Sequence, residues 1–192
     1  MKVFRSQIAN IITLSRIFFT IILLVDMKGY YFTADKSEIF YRILFWIVCI
    51  CLSDFLDGKV ARYFNAASDF GALLDMVADC FYTFSMFFVL WKWQYIPGWF
   101  LLLVIEKTVN YLVTSHMYQK KMQKKFAFIR DPVGRYISAG YFAIPAICIA
   151  AYHFLPNQCE LVTVLLVCVG GLGILSSVMR WWKVKCVAVD KG

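Results

Sequence analysis

Six largely apolar stretches run along the chain, separated by short segments that carry charge, glycine or proline. Each stretch is close to the roughly 20 residues that a helix needs to cross the hydrocarbon core of a membrane. The pattern predicts an all-α integral membrane protein, a bundle of six transmembrane helices with a short N-terminal amphipathic segment. The predicted spans are residues 9–26, 39–57, 70–92, 97–117, 133–154 and 160–181.

Composition supports the membrane class. Of 192 residues, 61% are hydrophobic, against about 45–50% in an average soluble domain. Neither a low-complexity segment nor a linker interrupts the chain, so we expect one membrane-embedded domain over residues 1–192. The basic, then apolar N-terminus resembles a signal peptide, but it lacks a small-residue cleavage site and is interpreted as an uncleaved span.

Basic residues concentrate on one side of the predicted bundle. They occur at both termini and in the second and fourth connections, whereas basic residues on the opposite side are fewer and partly offset by acidic ones. The positive-inside rule therefore predicts cytoplasmic termini. The net charge of +8 is then explained by topology, and no nucleic-acid partner is expected.

Five aspartates lie between Ser53 and Asp79, between two apolar stretches. Asp54 and Asp57 are spaced i, i+3 and Asp75 and Asp79 are spaced i, i+4, so each pair shares a helix face. A lipid-facing aspartate at the bilayer centre costs about 2.5–3.5 kcal/mol, so these must face water, a partner or a cation. Oxygen-only ligands suit Mg²⁺, Mn²⁺ or Ca²⁺ rather than zinc, and four carboxylates can share two cations.

Small residues accompany the aspartates. Gly58 and Ala61 continue the Asp54/Asp57 face, and Gly71 lies one turn before Asp75. They leave room either for a flat ligand beside the cations or for close helix packing. Arg62 can donate two hydrogen bonds to a phosphate.

The whole pattern, Asp54-x2-Asp57-Gly58-x2-Ala61-Arg62-x8-Gly71-x3-Asp75-x3-Asp79, resembles the complete signature of the CDP-alcohol phosphotransferase family. Members are integral membrane enzymes that transfer the phosphoryl-alcohol part of a CDP-linked donor to a hydroxyl and release CMP. The resemblance implies Mg²⁺ or Mn²⁺, with two divalent cations expected, and a cytoplasmic active site. It also implies a homodimer, since members often dimerise.

The resemblance also assigns roles. Asp54, Asp57 and Asp75 would be metal ligands, and Asp79 would join the metal site and act as the general base for the acceptor hydroxyl. Asp54 would also contact the CDP group. The remaining CDP contacts would come from Gly58, Ala61 and Gly71 at the cytidine and from Arg62 at the diphosphate.

Two further segments resemble the family less closely. "ANIITLSR" is similar to an N-terminal Pro-Asn-x-x-Thr-x-x-Arg element, with Ala9 in place of proline, and suggests supporting roles for Asn10, Thr13 and Arg16. Arg16 could equally snorkel to the interface or pair two helices. Ser68 stands where the family often has a hydroxyl residue, and it could equally be a helix N-cap.

Substrates follow only from the resemblance. The short chain favours CDP-diacylglycerol as donor, and the segments "FGALLDMVAD" and "RDPVGRYIS" resemble phosphatidylinositol synthases. The acceptor is expected to be a small polar alcohol: inositol, inositol phosphate or glycerol-3-phosphate. A phosphorylated acceptor needs cations, and the basic residues near the fifth span either supply them or only mark topology: Lys124, Lys125, Arg130 and Arg135.

Two alternatives remain open. A CDP-choline or CDP-ethanolamine phosphotransferase with a lipid acceptor would use the same signature, although such members are usually longer. A cation transporter predicts carboxylates near the bilayer midplane and an internal repeat, whereas these aspartates lie at one end of their helices. The short single-domain form favours a bacterial inner membrane as the location, and a eukaryotic endomembrane stays open.

Overall fold

The structure is a computed structural model that describes residues 2–33, 36–63, 69–122, 132–155 and 159–189. Over these ranges the chain is helical and contains no strand, which confirms the all-α class. The helices are α1 (Lys2–Phe32), α2 (Ser37–Tyr63), α3 (Asp69–Lys92), α4 (Gly98–Met122), α5 (Pro132–Phe154) and α6 (Cys159–Val189).

Five of these helices are long and apolar enough to cross a membrane. Their apolar parts are Asn10–Phe32, Ser37–Leu56, Leu73–Lys92, Tyr136–Phe154 and Glu160–Lys185. The predicted span 97–117 coincides with α4, which falls short because Glu106, Lys107 and Asn110 interrupt its apolar residues. Hydropathy therefore supports five of the six predicted spans.

Several helices run past the predicted boundaries. The segment after Gly58 was predicted to begin a connection, but α2 continues to Tyr63 because Lys59, Ala61 and Arg62 are good helix formers. At the N-terminus, α1 is one continuous helix from Lys2, so the predicted amphipathic segment is not a separate element. Its amphipathic character stays a prediction, since the side chains of residues 2–9 lie outside the described ones.

The chain divides into two compact units, Met1–Met86 and Phe87–Gly192, with the division inside α3. In the first unit α1 packs closely against α2. Buried residues recur on α1 at the helical period, namely Thr13, Arg16, Thr20, Leu23, Met27 and Tyr30. The one-domain organisation stays a prediction.

Asp26 links α1 to α2 at the end of the pair away from the aspartate signature. This buried carboxylate accepts a hydrogen bond from Trp46 Nε1 at 2.9 Å and forms an ion pair with Arg42. The Trp46 ring stacks on Phe19, with ring centroids 5.7 Å apart. The polar contacts therefore fix the register of the two helices.

In the second unit α6 packs against both α4 and α5. Polar side chains line the contact with α4: Lys107 Nζ donates to Ser176 Oγ at 2.7 Å, and Arg180 donates to Thr114 Oγ1 at 2.7 Å and Ser115 Oγ at 2.9 Å. We call these residues the α4–α6 polar seam. The seam explains the low hydropathy of α4, because its polar side chains are satisfied by α6 rather than exposed to lipid.

Candidate active site

Asp54 on α2 and Asp75 and Asp79 on α3 converge in the first unit. One carboxylate oxygen from each lies within 4.8 Å of the others. The i, i+4 spacing places Asp75 and Asp79 on one face of α3, as the sequence predicts. The predicted convergence is therefore confirmed for three of the four signature aspartates.

The fourth, Asp57, lies on α2 three residues after Asp54, and its side chain is outside the described residues. Its expected role as a metal ligand stays a prediction.

The cluster lies where two predicted membrane spans end. Asp54 is two residues before the end of its span at Leu56, and Asp75 is two residues after the start of the next at Leu73. Asp79 lies six residues into that span, about 9 Å along the helix at 1.5 Å per residue. The three carboxylates are half-exposed, so a ligand can reach them.

Arg16 on α1 completes the cluster. Its Nη1 is 2.8 Å from Asp75 Oδ1 and 2.5 Å from Asp79 Oδ1, and its Nη2 is 3.0 Å from Asp54 Oδ1. The side chain is 0% exposed, so Arg16 does not snorkel to water. The helix-pairing alternative therefore applies, because one guanidinium joins α1 to α2 and α3, and the supporting role of Arg16 stays a prediction.

Local structure explains how α1 presents this arginine. The Thr20 hydroxyl donates a hydrogen bond to the Arg16 carbonyl at 2.8 Å, and buried Thr13 lies one turn before Arg16. Asn10, a further turn away, is half-buried. The three positions of the "ANIITLSR" element therefore lie along one side of α1, and the roles of Asn10 and Thr13 stay predictions.

The other signature positions are placed by their helices. Gly58, Ala61 and Arg62 lie on the last two turns of α2, with side-chain surroundings outside the described residues. Gly71 is half-buried on α3, one turn before Asp75. Their contacts to CDP stay predictions.

The expected acceptor residues are mostly outside the described ranges. Lys124, Lys125 and Arg130 fall between α4 and α5, and Ser68 falls between α2 and α3. Arg135 lies in the first turn of α5, and its side chain is not among those described.

Sequence reasoning missed the α4–α6 polar seam and the Asp26–Trp46 contact. A signal for the seam is present, since Lys107, Tyr111 and Thr114 recur at helical spacing on α4, as do Ser176 and Arg180 on α6. The Arg180 guanidinium also lies 4.3 Å from the centre of the Tyr111 ring, in cation–π contact.

Long apolar helices and an interfacial carboxylate cluster define an integral membrane protein with a site suited to hard cations. The model of the CDP-alcohol phosphatidyltransferase family matches residues 6–186 of the chain. The chain belongs to this family, whose members are transferases of phospholipid biosynthesis that generally use divalent metal ions.

The chain is also similar to a characterised relative, the cardiolipin synthase (CMP-forming) of Streptomyces coelicolor. The two are 39% identical over 62 residues, which is 32% of this chain and 29% of that protein. The matched segment thus spans less than a third of either protein.

Proposed function

We propose that the protein transfers the phosphatidyl group of CDP-diacylglycerol to the hydroxyl of a small polar alcohol and releases CMP. The observation that carries this proposal is the convergence of Asp54, Asp75 and Asp79 at the end of two spans. A site at that depth is accessible both to a lipid donor in the membrane and to a water-soluble acceptor.

Asp79 is the proposed general base. The acceptor oxygen forms a bond to the phosphatidyl phosphorus, the bond from that phosphorus to the CMP oxygen breaks, and the acceptor proton passes to the Asp79 carboxylate. A positioned base of this kind contributes about 10²–10⁴-fold to a rate. The half-exposed carboxylate of Asp79 leaves room for a hydroxyl beside it.

The donor set fits a divalent cation, because three carboxylate oxygens lie within 4.8 Å and no softer ligand belongs to this cluster among the described residues. We assign Asp54, Asp57, Asp75 and Asp79 as the groups that hold Mg²⁺ or Mn²⁺, with two ions expected. When bound, the metal would neutralise the pyrophosphate and stabilise the CMP leaving group.

The rest of the signature would hold the nucleotide. We assign Gly58, Ala61 and Gly71 to the cytidine, because they carry little side-chain bulk, and Arg62, next to Ala61 on α2, to the diphosphate. These residues would orient the donor phosphorus for attack, which is a major part of catalysis by positioning.

The preferred acceptors are inositol, inositol phosphate and glycerol-3-phosphate, with Arg135 and the neighbouring Lys124, Lys125 and Arg130 as candidate acceptor contacts. Similarity to a CMP-forming cardiolipin synthase favours a second candidate, in which the acceptor hydroxyl belongs to another phospholipid. Both candidates use the same donor, base and metal ligands.

We further propose that α4 crosses the membrane, which gives six spans and places both termini and the active site on the cytoplasmic side. Support comes from the α4–α6 polar seam, which pairs the polar face of α4 with a helix that is apolar enough to span. A bacterial inner membrane and a homodimer complete the proposal.

The test is CMP release by the purified protein in detergent with CDP-diacylglycerol and Mg²⁺ or Mn²⁺. Each proposed acceptor is offered separately, with phosphatidylglycerol as the phospholipid acceptor. Release that depends on one acceptor and stops with EDTA supports the proposal and identifies the substrate. If only CDP-choline or CDP-ethanolamine supports release, the donor assignment is wrong, and if no cytidine nucleotide binds, the catalytic proposal fails.

A further inference from the structure

The guanidinium of Arg16 lies at the point where three signature carboxylates converge. Two hydrogen-bonding nitrogens of this one planar group reach Oδ1 of Asp54, Asp75 and Asp79 at 2.5–3.0 Å. The arginine is fully buried, whereas the three carboxylates are 42–49% exposed. A permanent positive charge of the chain therefore already satisfies the carboxylates proposed to hold the metal.

The geometry brings the guanidinium and a metal ion to the same three carboxylates. Ligand oxygens of one hard cation lie about 2.0–2.6 Å from it, so they can be no more than about 5 Å apart. The three carboxylates meet this limit, with ligand atoms within 4.8 Å of one another. Each of the three carboxylates gives Oδ1 to Arg16, so an ion held by the same three groups would share them with the guanidinium or displace it.

The charge of Arg16 determines whether this side chain strengthens or weakens binding of a divalent ion. The Arg16 charge relieves repulsion among Asp54, Asp75 and Asp79 when no metal is bound. It opposes a divalent ion at the same carboxylates by direct charge repulsion, which is strong because the guanidinium is shielded from water. Arg16 also orders the carboxylates, and loss of an outer-shell partner typically weakens metal binding about 10–100-fold. We expect repulsion between a divalent ion and a buried unit charge to outweigh this ordering.

We propose that Arg16 is a tethered counter-cation that competes with the divalent metal for Asp54, Asp75 and Asp79. It neutralises them in the metal-free protein and is displaced from them when metal binds. Since Arg16 Nη1 hydrogen-bonds Asp79 Oδ1, displacement would also remove this contact from the proposed base. This inference rests on the proposed function, because it concerns the same metal site.

The first experiment measures binding of Mn²⁺ alone to the full-length protein in detergent, without nucleotide, from the electron paramagnetic resonance signal of the free ion. Arg16→Gln removes the charge and keeps a polar, though shorter, side chain. We expect Mn²⁺ to bind this variant more tightly by a factor in the range of about 5–150, the usual span of coupling between two sites. Arg16→Lys keeps the charge and should stay closer to wild type.

Arg42→Gln is the matched control. Arg42 also joins α1 to α2 through an aspartate, Asp26, but its side chain is 55% exposed and lies at the other end of the helix pair. Removing it lowers the net charge by the same unit without touching the cluster. We expect wild-type Mn²⁺ affinity in this variant.

The second experiment follows thermal unfolding with EDTA and with saturating Mn²⁺. Without metal, Arg16→Gln leaves three mutually repelling carboxylates, so its melting temperature should fall below that of wild type and rise more on adding Mn²⁺. A variant that folds only when Mn²⁺ is present would be the extreme form of the same result.

Equal or weaker Mn²⁺ binding by Arg16→Gln would overturn the competition, and weaker binding would show that Arg16 mainly orders the ligands. If neither wild type nor Arg16→Gln binds Mn²⁺, both the competition and the metal assignment are wrong. The proposed reaction fails separately, if wild type binds Mn²⁺ and CDP-diacylglycerol but releases no CMP with any acceptor.

Discussion

Arg16 Nη1 on α1 donates a hydrogen bond to Asp79 Oδ1 on α3 over 2.5 Å, across 63 residues of sequence. This contact joins the least specific of the sequence motifs, "ANIITLSR", to the most specific one, the aspartate signature. It means that α1 contacts the aspartate cluster and that a cation of the chain lies against the proposed base.

Asp79→Asn should abolish CMP release, with a loss of at least about 10²-fold, the lower part of the range for a general base. The amide keeps an oxygen for a cation but cannot accept the acceptor proton. The measurement is the turnover rate for CMP release at saturating donor and acceptor. Because Asn still offers a hydrogen-bond acceptor to Arg16, the melting temperature should change much less than the rate.

Asp26→Asn is the control for this prediction, since Asp26 also binds an arginine but is buried and lies outside the cluster. It should retain turnover within a few-fold in the protein that remains folded. Full activity in Asp79→Asn would refute the assignment of Asp79 as base.

Asp26→Ala should destabilise the α1–α2 pair far more than Arg42→Gln does. The alanine leaves Trp46 Nε1 and the Arg42 guanidinium without their acceptor, and a hydrogen bond to a charged group contributes about 1.5–3 kcal/mol. Arg42→Gln keeps the hydrogen bond from Trp46 to Asp26 and removes only the half-exposed partner, so we expect a smaller loss than for Asp26→Ala.

Unfolding followed by tryptophan fluorescence checks this difference, since the chain has six tryptophans. Equal losses in the two variants would mean that the ion pair, rather than buried Asp26 itself, stabilises the helix pair. Trp46→Phe removes the hydrogen bond that Trp46 Nε1 donates to Asp26 at 2.9 Å, and so measures the contribution of that bond alone.

The aspartate cluster could be predicted from the sequence because helical spacing alone places Asp75 and Asp79 on one face, and a short connection brings Asp54 close to them. Arg16 could not be placed with equal certainty. Its position on α1 fits a snorkelling side chain, a helix-pairing partner and a site residue alike, and only its 0% exposure against three carboxylates separates them.

For α4 the sequence predicts the helix, but its hydropathy does not identify it as a membrane span. Residues 97–117 form the predicted helix, but Lys107 and the hydroxyl residues after it lower the hydropathy below that of a lipid-exposed span. Their partners, Ser176 and Arg180, lie about 65–70 positions further along the chain, so a local pattern cannot show that they are satisfied.

A matched pair of exposed lysines tests whether α4 crosses the membrane. Lys92 ends α3 and Lys120 lies in the last turn of α4. In a variant with the seven native cysteines replaced, Lys92→Cys and Lys120→Cys should react with a membrane-impermeant thiol reagent from opposite sides. Labelling of Lys92→Cys from outside and of Lys120→Cys only after permeabilisation is expected. Labelling of both from one side would show that α4 does not cross.

The glycines of α6 should respond unequally to alanine, because they face different surroundings. A Cβ at Gly173 would collide with the Tyr141 hydroxyl and lie 3.3 Å from its ring, whereas a Cβ at Gly171 meets nothing within 4 Å. Tyr141 cannot easily move, since it is buried and stacked on Phe100 with ring centroids 5.7 Å apart.

Gly173→Ala should therefore lower the free energy of unfolding by about 1–3 kcal/mol, the usual cost of overpacking. Gly171→Ala should instead raise it by up to about 1 kcal/mol, because alanine is the better helix former. Thermal unfolding of both variants in the same detergent measures the difference.

Gly170→Ala should fall between them, since its Cβ would come 2.9 Å from Leu103 Cδ1, the end of a side chain that can rotate away. Equal effects at all three positions would mean that helix propensity rather than contact between α5 and α6 sets the response, and the close packing of these helices at Gly173 would then be refuted.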